Sequence, residues 1–433
     1  MFQACYRKRA CLGFIAIALT LAAFAQPHDT IRMMQYNLMY YTNNSGVSDC
    51  NSLSNNLDSK DVHLRTIFRH VMPDVLCVCE MGSNNSYADR LLNNVINTNG
   101  IDYYQRGPLT SYSGGTLANM IYYNSKKLTL HNSYTVTTSY RDINGYKFYY
   151  NADNLASGDT IFMTFWIAHL KAGTYSSDAN SRLVQVQRLM NKITQLGEPG
   201  NFFFSGDFNL YSSNEAAYQE LTEYPNSLFR FYDPVDAPGN WHNNNQFSSL
   251  HTQSTHTQDD DCFSAGGLDD RFDFILVSPY VYYGSNRVHL VNGSYRALGQ
   301  DGNRINRSII SPQNNSIPSD VANALFHQSD HLPVIMEMTV DAHVGIQEYR
   351  PNFFVNVSNP VRDELHIDFQ NEENGHYDIS IYSMDGRCLA RHTESLEAGS
   401  HRLTYPFPFR NGLYIMTLRD GNGQQTSKKV VRY

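Results

Sequence analysis

Residues able to hold a cation and move protons stand in this chain where apolar runs end, and the densest group is Ser205-Gly206-Asp207-Phe208-Asn209. The run 201–204 before it reads as a buried strand, so Asp207 and Asn209 are expected just past its end, two apart and on the same side. The Ser-Gly pair leaves the backbone room there. A carboxylate beside an amide suits a hard cation and a phosphate-like oxygen, because the first supplies charge and the second offers both donor and acceptor. The same event recurs along the chain. Strands over 31–36, 75–79 and 160–168 end at Asn37, Glu80 and His169, Asp273 lies near the start of a strand over 272–278, and Ser329-Asp330-His331 leads into a strand over 334–340. Polar residues at the same ends of neighbouring strands line one cleft.

Glu80, Asp207 and Asp330, with Asn37 and Asn209, form a hard oxygen donor set suited to Mg²⁺ or Mn²⁺, with Ca²⁺ a further candidate. One such ion, or two about 4 Å apart, would polarise a phosphoryl oxygen and stabilise a leaving alkoxide. Of His169 and His331, one then serves as base or phosphate contact, and the other donates a proton or is oriented by a carboxylate such as Asp273. Asp273 stands between Phe272 and Phe274, and a carboxylate in aromatic surroundings needs a partner.

The elements that must position these groups follow from periodicity. Leu64, Ile67, Phe68 and Val71 have helical spacing from Asp61 until Pro73 stops them, after a polar loop reaching to about Lys60. A second helix is expected over 87–96, a meander of strands over 103–150, and a helix carrying Leu183, Val186, Met190 and Ile193 that ends at Gly197. Residues 233–267 are polar and read as loop. Strands mixed with a few helices over 26–340 predict a two-sheet α/β sandwich. Residues 341–351 read as a linker, and beyond it Leu365, Ile367, Phe369 and then Tyr377, Ile379, Ile381 alternate cleanly. Asp385-Gly386, Asn411-Gly412 and Asp420-Gly421 mark turns, so 352–433 is expected to be a small all-β sandwich.

A chain of 433 residues suggests two domains, and 41% hydrophobic residues suffice for a core in each. Arg7, Lys8 and Arg9 precede an apolar run that closes on Ala23-Phe24-Ala25, so 1–25 reads as a secretory signal peptide. Its removal deepens the formal charge from −8 to about −11. That acidity argues against a uniformly basic nucleic-acid footprint, although a local patch and a bound metal can carry phosphate contacts. No later segment is apolar enough to give the mature chain a stable membrane span. Cys50, Cys77, Cys79, Cys262 and Cys388 remain, with no zinc or disulfide spacing. Cys77 and Cys79 share a strand face and are expected in the core, while a Cys50 to Cys262 bridge is possible in an oxidising compartment.

The series Gln35-Tyr36-Asn37, Pro73-Asp74-Val75 through Glu80, His169-Leu170, Gly206-Asp207-Phe208-Asn209, Asp270-Arg271-Phe272-Asp273-Phe274 and Ser329-Asp330-His331-Leu332-Pro333 resembles the endonuclease/exonuclease/phosphatase superfamily over 30–340, in that family's order. The resemblance implies a four-layered α/β sandwich, two mixed sheets flanked by helices, and divalent-metal-dependent phosphoester hydrolysis. It implies Glu80 as main metal ligand assisted by Asn37, with Asp330 completing the metal site. Asp207 would orient or activate the attacking water, Asn209 would hold the phosphate, His331 paired with Asp273 would be general base or phosphate contact, and His169 general acid or transition-state stabiliser. Members often carry an Arg or Tyr in the middle strands. Tyr122, Tyr123 and Asn124 occupy that neighbourhood here without a secure match, which leaves the substrate open. The tail, from Val357-Ser358-Asn359-Pro360 to Lys428-Lys429-Val430-Val431, resembles the C-terminal sorting domain of the type IX secretion system of Bacteroidetes, implying passage through the periplasm, handling by that machinery, export across the outer membrane and removal of the tail.

The expectation is therefore an exported, secreted or cell-surface phosphodiesterase, a nuclease acting on extracellular DNA or RNA. Its rivals are a phosphatase or sphingomyelinase-like lipid hydrolase, which an exposed aromatic hairpin beside the cleft would favour, and a non-catalytic surface-binding protein on the same scaffold.

Overall fold

A computed structural model of the chain describes residues 28–42, 50, 55–110, 115–152, 155, 160–260, 262–342, 353–371, 373–421 and 425–433. The expected signal peptide over 1–25 and most of the expected linker over 341–351 lie outside these residues.

The chain opens on β1 (His28–Tyr41), whose apolar residues alternate between two cores. Ile31 and Met33 point to one side and Met34 and Tyr36 to the other, as a strand buried on both faces requires. Helix α1 (Leu57–Val71) follows and begins earlier than the apolar spacing suggested, because the Asn56 side chain caps it by accepting from the Ser59 N–H. Then come β2 (Val75–Gly82), the short helix α2 (Asn85–Arg90) widening into a π-turn over Leu91–Ile96, and strands β3 (Tyr104–Arg106), β4 (Leu117–Asn124), β5 (Leu128–Val136), β6 (Ile143–Tyr150) and β7 (Phe162–His169). Helix α3 (Ser176–Leu196) is closed by Gly197 in the left-handed conformation, as expected, and leads to β8 (Asn201–Asp207) and α4 (Ala216–Thr222). Next are β9 (Asp273–Val277), the one-turn α5 (Pro279–Tyr282), β10 (Val288–Leu290), β11 (Arg296–Ala297), α6 (Ser319–Gln328) and β12 (Val334–Asp341).

Among the described residues, one sheet has the order β10-β12-β1-β2-β4-β3 with β11 on β12, and the other β5-β6-β7-β8-β9. The pairs β1/β2 and β7/β8 are parallel and the rest antiparallel, so both sheets are mixed. Between the sheets lie Met33, Cys77, Phe148, Phe165 and Phe203, with the last two rings stacked at 4.8 Å. Leu64, Ile67 and Leu325 of α1 and α6 cover the outer face of the first sheet, and Leu189 and Ala217 of α3 and α4 that of the second. The result is a four-layered sandwich whose large apolar side chains each contribute roughly 1.5–3 kcal/mol by burial.

Cys50 and Cys262 are joined by a disulfide, and Cys77 and Cys79 are free and buried. The tail forms two sheets, one of Phe353–Val357, Glu364–Asn371 and Gly399–Pro406, the other of Gly375–Ser383, Cys388–Leu396, Gly412–Asp420 and Gln425–Arg432. They close over Ile367, Phe369, Ile379 and Met416.

Candidate active site

Three strand ends lie in register. His169 of β7 stands opposite Asp207 of β8, and Asp207 opposite Asp273 of β9. The close approach of β7 and β8 requires Gly206, because a Cβ there would sit 1.8 Å from the Ala168 carbonyl oxygen at a φ of +151°. The strand stops at Asp207, and Asn209 takes a left-handed φ of 50° with its N–H donating 3.1 Å to Asp207 Oδ1. Strand alternation therefore does not put Asp207 and Asn209 side by side; a turn does. The Asn209 side chain donates to the Leu170 carbonyl at 3.4 Å.

The first sheet brings its residues from across the sandwich. The β1/β2 ladder breaks between Asn37 and Tyr41, with Met39 and Tyr40 at φ 45° and 52°. Asn37 Oδ1 accepts from the Met39 N–H at 2.9 Å, and this fixes its amide so that Nδ2 donates to Glu80 Oε1 at 3.1 Å and Asp207 Oδ2 at 3.0 Å. The Tyr40 N–H donates to Glu80 Oε2 at 3.1 Å. Glu80 itself has a φ of 59°, unfavourable for a residue with a Cβ, and sits where β2 and β4 lose register.

His331 comes from the segment joining α6 to β12. Its Nδ1 is 2.7 Å from Asp273 Oδ2, while Nε2 faces Asp207 Oδ2 at 3.8 Å and Asp330 Oδ1 at 4.0 Å. His169 Nε2 lies 3.4 Å from the same Asp207 oxygen and its Nδ1 3.7 Å from Glu80. All eight residues singled out in the sequence, Asn37, Glu80, His169, Asp207, Asn209, Asp273, Asp330 and His331, thus meet in one connected cluster.

Residues 34–331 match the model of the "Endonuclease/Exonuclease/phosphatase family". The chain belongs to this family. Residues 358–432 match a "Secretion system C-terminal sorting domain", which marks the chain for export to the cell surface or beyond, and no helix among the described residues is long and apolar enough to cross a membrane. No curated protein matches. Solved structures with similarity include humanized zebrafish (D. rerio) TDP2, at 14% identity and a TM-score of 0.43 over 71% of this chain and 98% of that one. The human Nocturnin catalytic domain has 14% identity and a TM-score of 0.42 over 72% and 97%, and an endonuclease/exonuclease/phosphatase from Beutenbergia cavernae has 12% and 0.40 over 92% and 99%.

Within this family member the cluster's electrostatics are those of a site short of positive charge. Burial, then Asp273 and Glu80, push the Asp207 carboxyl up to about 7 against the pull of His331. Burial also opposes charge on His331, but Asp273, Asp207 and Asp330 together hold its imidazolium well above the ordinary range. Burial, with Arg141 and His331 beside it, drives His169 well below. Among the described residues His169 Nδ1 and Asp273 Oδ1 are buried without a hydrogen-bond partner, and one Asn37 amide serves two carboxylates. Ligand atoms of Glu80, His169 and Asp207 all lie within 4.8 Å of one another. Such an oxygen-rich donor set fits a hard divalent ion, whose charge would relieve the carboxylates.

Further residues at or near the cluster carry no signal in the sequence. Gln253, in a stretch read as featureless loop, has Nε2 2.9 Å from His331 Nε2 and 3.4 Å from Asp330 Oδ2. Arg141, at the β5–β6 turn, lies within electrostatic reach of His169. Lys60, expected at the end of a loop, is in α1 and fully buried, where burial lowers its pKa while Asp330 and Glu80 favour the ammonium. Tyr122, Tyr123 and Asn124 lie at the wrong end of β4, since Tyr123 pairs with Val75 at the start of β2 and Ala118 with Met81 at its end.

Proposed function

We propose that this chain is an exported, divalent-metal-dependent phosphodiesterase that cuts extracellular DNA or RNA. The observation that carries the reading is the row His169, Asp207, Asp273 closed by His331 on one side and by Glu80 and Asn37 on the other. Glu80 and Asp330, assisted by Asn37, would hold Mg²⁺ or Mn²⁺, which when bound supplies charge neutralisation for the phosphoryl oxygens.

The remaining roles fall to the protein. Asp207, between His169 and His331, accepts the proton of the attacking water. The imidazolium of His331, oriented by Asp273 at 2.7 Å, contacts a phosphate oxygen. Neutral His169 stabilises the developing negative charge as a hydrogen-bond donor, and Asn209 holds the phosphate. Water adds to phosphorus as its proton passes to Asp207, the P–O bond to the leaving sugar oxygen breaks, and that oxygen takes a proton from solvent while Asp207 returns its own, so that the products are an alcohol and a phosphomonoester. The proposed organisation is a leader over 1–25, a catalytic unit over 26–340, a linker over 341–351 and a removable tail over 352–433.

Arg141 and the exposed Tyr140 beside it on the β5–β6 turn, with Tyr175 77% exposed just past β7, support nucleic acid, because guanidinium contacts phosphate and tyrosine rings accept stacked bases. The same Tyr140 favours a second reading, a sphingomyelinase-like enzyme that dips an aromatic turn into a lipid surface. A panel of plasmid DNA, RNA, bis-p-nitrophenyl phosphate and sphingomyelin vesicles with Mg²⁺, Mn²⁺ or Ca²⁺, and with EDTA, decides between them. Metal-dependent scission of nucleic acid supports the first reading, activity confined to sphingomyelin or the small phosphoester replaces the substrate, and silence on all four favours a binding protein.

A further inference from the structure

Lys60 lies on the face of α1 shared with Leu64, Ile67 and Val71 and is 1% exposed. Its ammonium donates to three main-chain carbonyls, Leu38 at 3.0 Å, Met39 at 2.5 Å and Gln328 at 3.0 Å, which uses all three of its protons. Each acceptor is a carbonyl at a break in regular structure. Leu38 and Met39 sit in the gap of the β1/β2 ladder, and Gln328 ends α6, where carbonyls lack intrahelical donors and carry the negative end of the helix dipole. Among the described residues no carboxylate pairs with Lys60; Asp330 and Glu80 act on it only through space. A buried charge without an ion-pair partner is costly, and an apolar residue of the same volume would be the cheaper occupant of this position.

The two ends that Lys60 joins are those that deliver the active site. β1 carries Asn37 and the Tyr40 N–H that holds Glu80, while the segment after α6 carries Asp330 and His331. Two neutral bonds run along the same seam, from Gln328 Nε2 to the Leu38 carbonyl at 3.4 Å and from Ser329 Oγ to the Asn37 carbonyl at 2.8 Å. We infer that Lys60 is a positioning residue of this active site, an internal ammonium in the place of a structural cation, clamping the β1 break to the end of α6 so that Asn37, Glu80 and Asp330 converge.

The inference rests on the phosphoesterase reading for its catalytic measurement, and metal binding tests it separately. In the full chain, Lys60→Met is expected to lower kcat on bis-p-nitrophenyl phosphate about 100-fold with KM little changed, as a misplaced catalytic group does. It is also expected to weaken Mn²⁺ binding by calorimetry about tenfold, as loss of a group supporting metal ligands does. Unchanged kcat, or Mn²⁺ binding that tightens because only a repelling charge has gone, overturns the inference. Lys60→Ala with added n-propylammonium should regain activity and Mn²⁺ affinity that 1-propanol does not restore. Equal restoration by both reduces Lys60 to a space filler, and a variant that needs the amine to fold but is fully active without it once folded makes Lys60 a folding element; either result contradicts a positioning role. If the wild type hydrolyses nothing, the reaction reading fails while the Mn²⁺ isotherms still judge Lys60.

Discussion

Asp207 and His331 share a field that each modifies. With the carboxyl of Asp207 raised to about 7, ionising it in the folded chain is unfavourable relative to the unfolded chain, so stability is lost as pH rises from about 4 through about 7. The raised His331 acts in the same direction: its contribution is complete below the ordinary histidine range and is lost as pH climbs through its higher folded value. In EDTA these two groups pull the melting temperature down between pH 5 and pH 8, while the depressed His169 pulls the other way below the ordinary histidine range; Asp207→Asn should remove its share of the first pull and melt a few degrees higher than wild type at pH 8. A variant that melts lower by the same amount at both pH values would show that the charge of Asp207 is not strained. Asp273→Asn takes the negative charge from the 2.7 Å partner of the imidazolium and should reduce hydrolysis by about 10²–10⁴-fold while moving the alkaline limb of the pH–rate profile to lower pH; a profile of unchanged shape would detach Asp273 from His331. At this scale the sequence was legible where a polar residue ends an apolar run, as His169 and Asp207 do; Asn37 and Glu80, expected at strand ends, instead lie inside β1 and β2, where irregular register turns them into the cluster. Gln253 had no such marker, because it reaches His331 from a long polar stretch in which nothing distinguishes one amide from another.

The strands and helices were legible where their periods run unbroken. α3 and its Gly197 cap fall where the apolar spacing put them, and Cys77 lies in the core between the sheets. The start of α1 was misread because an Asn-rich stretch looks like loop until one asparagine is recognised as a cap, and Lys60 was lost with it although it lies on the helix's apolar stripe. The left-handed residues Met39, Glu80 and Asn209 were illegible for another reason: Met39 and Asn209 are turned by N–H bonds to the side chains of Asn37 and Asp207 two residues before them, and Glu80 stands at a break in the β2/β4 ladder with its carboxylate held by Asn37 and Tyr40 from β1. β8 against β7 offers a test of the strand ends. Gly206→Ala drives a Cβ into the Ala168 carbonyl and should cost more than about 2 kcal/mol in urea unfolding, with loss of activity. Wild-type stability in this variant would mean that the two strands do not approach so closely.

The molecule as a whole joins a four-layered catalytic unit to a small β-sandwich through few contacts. Gln370 reaches Asn226 at 3.0 Å, and Phe354 packs on Tyr283 with ring centres 5.6 Å apart. Among the described residues the tail contributes no side chain to the cluster around Asp207, so cutting it away after residue 342 should leave kcat within about twofold of the full chain, as sites distant from one another behave independently; a large loss would give the tail a part in the site. The Cys50–Cys262 bridge closes a separation of 212 residues, in keeping with an exported chain, and its reduction should lower stability by about 3–5 kcal/mol. Unchanged melting in dithiothreitol would contradict that contribution. The central claim, that one carboxylate-rich cluster hydrolyses phosphoesters with a divalent ion, is tested most directly by Glu80→Gln. Nuclease activity of wild type and variant should be titrated with Mn²⁺ from an EDTA-treated state, with melting temperature followed in parallel. The account predicts activity in the wild type that appears with Mn²⁺, at least about 100-fold less in the variant at saturating Mn²⁺, and closely similar melting in EDTA. Activity that survives EDTA, or a Glu80→Gln variant as active as the wild type, would contradict it.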